Sequence, residues 1–244
     1  MGGSTDFGGS LDVDLQKHYD GYYDGPSEWR ALGAKQKCSN ITSLCADHPH
    51  DKVLEIGSGE GSILQRLCEL NFCPDLYSLE ISRSAINAIT KRRIPSLRDV
   101  RHYNGYDIPY DDDEFDLAIL SHVVEHLEHP RRLLREAGRV SKQVFIEVPL
   151  ELTFRLSADY VDTGVGHINT YSLRTVRRLM QTCDLRILRQ TVTNNSREIM
   201  KTLFGKKALI FHPLTECALK LTPRLAMCLF VYNCSILCEK DEGV

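Results

Sequence analysis

Residues 53–61 read Val-Leu-Glu-Ile-Gly-Ser-Gly-Glu-Gly. An apolar run of strand length breaks into alternating glycines at Gly57, Gly59 and Gly61. Such spacing lets the backbone turn tightly and lets a ligand lie against bare N–H groups. Glu55, inside the strand end, is the unusual residue. A carboxylate two residues before the first glycine would repel a phosphate, so the ligand expected here carries positive charge. Residues 57–62, Gly-Ser-Gly-Glu-Gly-Ser, also lack the Gly-x-Gly-x-x-Gly of a dinucleotide site.

Outward from this stretch, strand and helix patterns alternate. Strands are expected at Lys52–Ile56, Asp75–Glu80, Asp99–Tyr103, Phe115–Leu120, Gln143–Pro149, Leu185–Thr193 and about Met227–Glu239. Helical spacing marks Gly61–Leu70, Ser82–Arg92, Pro130–Val140 and Ser172–Cys183, with Pro130 and Ser172 suited to helix starts. The alternation predicts an α/β fold: a mostly parallel sheet with helices on both faces. No linker divides the 244 residues, so 11–244 read as a single domain behind a Gly/Ser-rich tail at 1–10. Within it, 11–45 reads as a helical lid bearing Tyr19, Tyr22, Tyr23 and Trp29. The stretch 194–222, with Lys201, Lys206 and Lys207, reads as a helical insertion or flap covering the acceptor.

The net charge is −3, which gives no overall electrostatic case for nucleic acid or an anionic membrane. The apolar run Leu225–Cys238 is too short to span a bilayer. Nine cysteines without a Cys-x-x-Cys pair argue against zinc and for free thiols in a reducing cytoplasm. The runs Asp111–Glu114, Arg131/Arg132/Arg135 and Arg174/Arg177/Arg178 read as solvated surface.

Ligands of open parallel sheets sit at the carboxyl ends of the strands, near the point where strand order reverses. Glu80 ends the second strand 19 residues beyond Gly61, close to the ~20 expected of a ribose-binding acid. With Val53–Gly61 and Glu80, the run from Ile108-Pro-Tyr through Phe115-Asp116 and Ser121-His-Val-Val-Glu-His126 to Pro130 resembles the class I S-adenosylmethionine (SAM)-dependent methyltransferases, over roughly Trp29–Cys183. The resemblance implies a three-layer α/β/α Rossmann-like sandwich. Its seven-stranded, mostly parallel sheet would have an antiparallel strand near the C-terminus. It implies SAM as cofactor and S-adenosylhomocysteine as product. Gly57, Ser58 and Gly59 would lie against the methionine moiety, Glu55 at its amino group, and Glu80 with Ile81 at the ribose. Asn104, Gly105 and Tyr106 would meet the adenine, with Asp107 competing for the place of Asn104. Ser121 and His122 would flank the sulfonium.

Methyl transfer to a hydroxyl requires removal of a proton, for which histidine is suited near neutral pH. His122 and His167 are the candidate catalytic residues. Tyr19, Tyr23, Trp29, His167, Asn169 and Tyr171 are candidates to bind the acceptor. His122, Glu125 and His126, spaced by three and four, would share one helical face and could hold a metal. The histidine at the first position argues against a hard cation, and no metal is expected. The expected partner is a small-molecule acceptor for O-methylation, with no nucleic acid or membrane, in a monomer or homodimer. N-methylation of a small amine and a non-catalytic SAM-binding partner protein are the alternatives.

Overall fold

The computed structural model describes residues 28–47, 49–154, 156 and 166–241. A long helix α1 (Glu28–Cys45) precedes the first strand β1 (Lys52–Ile56). Then come α2 (Ser62–Glu69), β2 (Asp75–Glu80), α3 (Arg83–Arg92), β3 (Leu97–His102) and β4 (Phe115–Ser121). After a short 3-10 turn at Val124–His126 follow α4 (Pro130–Val140), β5 (Ser141–Pro149), α5 (Leu173–Gln181) and β6 (Leu185–Thr193). The chain then runs through α6 (Arg197–Phe204), a 3-10 turn at Gly205–Lys207, α7 (Ala208–Leu221), α8 (Pro223–Leu229) and β7 (Asn233–Lys240).

One sheet of seven strands results, in the order β3-β2-β1-β4-β5-β7-β6. β7 is antiparallel to both its neighbours, and the other pairings are parallel. This is the three-layer Rossmann-like arrangement expected. Side chains alternate across the strands. Val53, Leu76, Leu117 and Ile119 pack with α1 and α2 through Cys38, Ile41, Leu64 and Leu67. Leu54, Ile56, Leu79, Ala118 and Leu120 pack on the other face with α4 and α5 through Leu133, Leu134, Val176 and Met180.

The helix starts follow local chemistry. Ser82 accepts from the Ala85 N–H at 3.3 Å, and Ser172 and Thr175 form a reciprocal capping box at α5. Most expected boundaries hold within two residues, and the largest shift is at the last strand. Residues 227–229 belong to α8, and the last strand starts at Asn233. The run from Leu225 is apolar throughout, so periodicity does not separate helix from strand, whereas Pro223 at the first position of α8 starts a helix. The flap region is helical in α6 and α7. Among the described residues no helix is long and apolar enough to cross a membrane.

Strand order reverses between β1 and β4, so the loops after these strands face each other at the sheet's carboxyl edge. Their approach is close. A Cβ built on Gly57 would lie 2.7 Å from Val123 Cγ2, and Gly57 has φ +73°, where a side chain is strained.

Candidate functional site

A cavity of about 810 Å³ opens at this edge. The glycine loop, α1, the β4 and β5 ends and the α6–α7 cover wall it. Glu55 lies on its wall, 2% exposed. Burial pushes its carboxyl well above the usual range, opposed by Lys37. Its Oε2 is buried without a hydrogen-bond donor. A buried carboxylate in that condition calls for a cation.

Glu80 is held differently. One oxygen accepts from Gly59 N–H at 2.7 Å, and the other accepts from Ile81 and Ser82 at 2.8 and 2.9 Å. Burial raises its pKa against these three backbone donors. The carboxylate thereby ties the glycine loop to the β2–α3 turn. Gly57 N–H donates to Leu79 O at 2.8 Å, and the Ser58 and Ser78 hydroxyls meet at 2.5 Å. An oriented acid, a bare glycine loop and an orphaned buried carboxylate oxygen fit SAM, the cofactor that the resemblance implies.

The β3–β4 turn closes on itself. Asn104 Oδ1 accepts from the Tyr106 and Asp107 N–H groups at 3.0 and 2.8 Å, and its Nδ2 donates to Asp107 at 2.6 Å. Asp107 also pairs with Arg132 at 2.6 Å. The amide oxygen and the Tyr106 N–H proposed for the adenine are therefore engaged with each other. Glu80, Ile81, Asn104, Gly105 and Tyr106 are not among the residues that line the cavity.

His122 closes the β4 end in a left-handed conformation, φ +57°. Its Nδ1 lies 3.2 Å from Glu125 Oε1 and its Nε2 lies 3.4 Å from Glu147 Oε1. Burial would lower its pKa, yet the two carboxylates raise it. Burial likewise works to raise Glu125 and Glu147, and His122 holds both below the usual value. His122 thus lies between two buried acids while also lining the cavity, where it was expected to act as a base. Its left-handed backbone also removes it from the helical face that it was expected to share with Glu125 and His126.

Glu147 is the central residue that the sequence reading missed. Its Oε2 accepts from Asn40 Nδ2 and from the Ser235 hydroxyl, both at 2.7 Å. Its Oε1 accepts from the Ser121 hydroxyl at 3.4 Å. One signal was present: like Glu55, it is an acid inside an otherwise apolar strand.

His167 does line the cavity, and its Nδ1 lies 2.8 Å from Glu151 Oε2. Glu151 was also missed. Pairing with a carboxylate favours the tautomer that carries its proton on Nδ1. The His126 ring is 4.8 Å away at 70°, and its Nδ1 lies 3.0 Å from Gly166 O. Burial lowers the His126 pKa. Among the described residues, the set that a divalent cation could use is Glu125, His126 and His167, with ligand atoms within 4.8 Å of one another. The expected trio had His122 in place of His167.

Asn169 and Tyr171 do not line the cavity, a second correction. Asn169 Nδ2 donates to Leu127 O at 2.6 Å, and the Tyr171 hydroxyl donates to Val124 O at 3.3 Å. Both brace the loop after β4. Trp29 lines the cavity, while Tyr19, Tyr22 and Tyr23 lie outside the described residues.

Residues 29–190 match a family described as a methyltransferase domain. A stretch of 119 residues is 29% identical to the YrhH protein of Bacillus subtilis (strain 168), covering 46% of this chain and 66% of that protein. A stretch of 89 residues is 30% identical to the mitochondrial ubiquinone biosynthesis O-methyltransferase of Candida albicans, covering 34% of this chain and 27% of that enzyme. The chain thus spans at most 66% of the length of either relative. The solved structure of the cyclase SpnF superposes with a TM-score of 0.62 at 15% identity, over 90% of this chain and 85% of that one. At that identity the likeness concerns the fold.

Proposed function

The chain belongs to the methyltransferase-domain family, of the class I SAM-dependent kind, and from that premise we propose that it transfers a methyl group from SAM to the hydroxyl of a small-molecule acceptor. When bound, SAM supplies a methyl group on a sulfonium, already activated for in-line displacement. Glu55 receives the amino group with its orphaned carboxylate oxygen. The backbone at Gly57, Ser58 and Gly59 lies against the methionine moiety, and Glu80 accepts from the ribose. Ser121 and the His122 turn form the floor beside the reacting atoms.

The observation that carries hydroxyl chemistry is the His167–Glu151 pair on the cavity wall, 2.8 Å between Nδ1 and Oε2. Glu151 orients the ring and stabilises the imidazolium, and His167 takes the acceptor's proton at Nε2. An amine acceptor loses its proton readily once methylated and has less need of such a base.

The test compares wild type, His167→Asn and Glu151→Gln in SAM-dependent methylation of an acceptor panel, with SAM affinity measured in parallel. General-base loss is worth about 10²–10⁴ in kcat. The expected result is a loss of that order for hydroxyl acceptors with SAM affinity unchanged. Undiminished turnover in His167→Asn, or turnover confined to amines, overturns the reading.

A further inference from the structure

Helix α7 is built inside out. Ile210, Leu214, Cys217 and Leu221 are spaced by four, three and four and form one stripe. All four are exposed, Ile210 at 74% and Leu221 at 75%. The buried side holds Ala208 and Thr215. Thr215 Oγ1 accepts from Asn194 Nδ2 at 2.7 Å, and its carbonyl accepts from the Tyr232 hydroxyl at 2.8 Å. These bonds set the roll of the helix, because turning the stripe inward would break both.

The exposed apolar surface continues through Phe204, Leu209, Leu225 and Val231. Patches of this kind on a folded chain mark interaction sites. Basic residues flank it. Residues 197–231 carry six Lys or Arg and two acids, a net of +4 in a chain whose formal net charge is −3. Lys201, Lys206, Lys207, Lys220 and Arg224 are all exposed. A two-fold contact between copies would set this basic surface against itself. An apolar stripe between lysines suits an anionic lipid surface.

We propose that the α6–α8 face docks onto a bilayer bearing anionic headgroups, with the α7 stripe entering the boundary between headgroups and acyl chains. Phe204, Phe211, Leu229 and Val231 belong to this region and also line the cavity. The docked cavity therefore opens toward the lipid. Resting on the reading of that cavity as the acceptor site, the acceptor is a bilayer-resident amphiphile whose polar end reaches His167. The whole-chain charge, which argued against a membrane, averages out this local excess.

The experiment is co-sedimentation of the full chain with vesicles of phosphatidylcholine, with and without one-third phosphatidylserine, at low and high salt. The residues replaced in Lys206→Gln/Lys207→Gln and in Ile210→Asn/Leu221→Asn do not line the cavity. The expected result is binding to the anionic vesicles that salt weakens. Removing two lysines lowers it about thirtyfold, at ~1 kcal/mol per basic residue near such a surface. The stripe variant loses vesicle binding while its SAM affinity, read by calorimetry, stays at the wild-type value. Wild-type protein left in the supernatant at low salt overturns the proposal. So does a dimer in light scattering that the stripe variant dissolves, which assigns the face to a second copy. Vesicle binding without methyl transfer leaves the docking standing and removes only the inference about the acceptor.

Discussion

Replacing His122 by asparagine removes one cation from between two acids. Glu125 and Glu147 are 0% and 1% exposed, and His122 lies 3.2 and 3.4 Å from them. Breaking a buried ion pair from one side costs about 3–5 kcal/mol, because a charge stays behind without its partner. For a chain of this size each kcal/mol moves Tm by about 2–4 °C, so the expected drop is roughly 6–20 °C. Asparagine tolerates the left-handed backbone at φ +57°, so the loss reports the imidazole and not the turn. The pH dependence has a definite sign. His122 has a raised pKa, so its contribution is complete below the ordinary imidazole value and is lost as pH rises through the raised one. Glu125 and Glu147 have lowered values, so theirs is complete above the ordinary carboxylate range and is lost as pH falls through the lowered ones. The gap between wild type and variant is therefore widest between these limits and narrows at either end. Urea unfolding at several pH values measures it. A variant within 1 kcal/mol of wild type at every pH would refute the clamp.

Three further outcomes follow from the cofactor side. Gly57→Ala places a Cβ 2.7 Å from Val123 Cγ2 at φ +73°. It should cost about 1–3 kcal/mol and abolish SAM binding in calorimetry, with Val123→Ala restoring part of the binding. Burial keeps Glu55 protonated above its usual range, so a cationic ligand must draw a proton off it. Wild-type SAM affinity should therefore rise with pH, with proton release seen in buffers of different ionisation enthalpy, and Glu55→Gln should bind weakly with no such rise. Glu80→Gln turns a donor toward a backbone donor, and chemical denaturation should show a loss of about 1–3 kcal/mol.

The sheet was legible because its strands are apolar runs bounded by turn residues, and β1, β2 and β6 begin and end where the pattern changes. The position of the glycine loop and of Glu80 at one sheet edge was legible because it depends on local backbone chemistry. The acids Glu147 and Glu151 on the cavity wall were not. Glu147 gains its partners from Asn40, Ser121, His122 and Ser235, which are far apart in the chain. His122 read as a base because its sequence shows a histidine at a strand end and nothing of the carboxylates on both its nitrogens. Asn169 and Tyr171 read as acceptor ligands, although their side chains reach back to the β4 loop. The outward stripe of α7 looks like core from spacing alone. Its orientation depends on Asn194, Thr215 and Tyr232.

β7 lies between β5 and β6, and among the described residues β6 pairs with no other strand. During translation β6 therefore emerges with no partner, and the edge of β5 stays open until residues 233–240 have left the ribosome. The nascent sheet waits for its keystone, and in that interval two unpaired edges are presented to chaperones or to neighbouring chains. Loss of residues 233–240 would thus remove two strands from the sheet, although only one is missing from the chain.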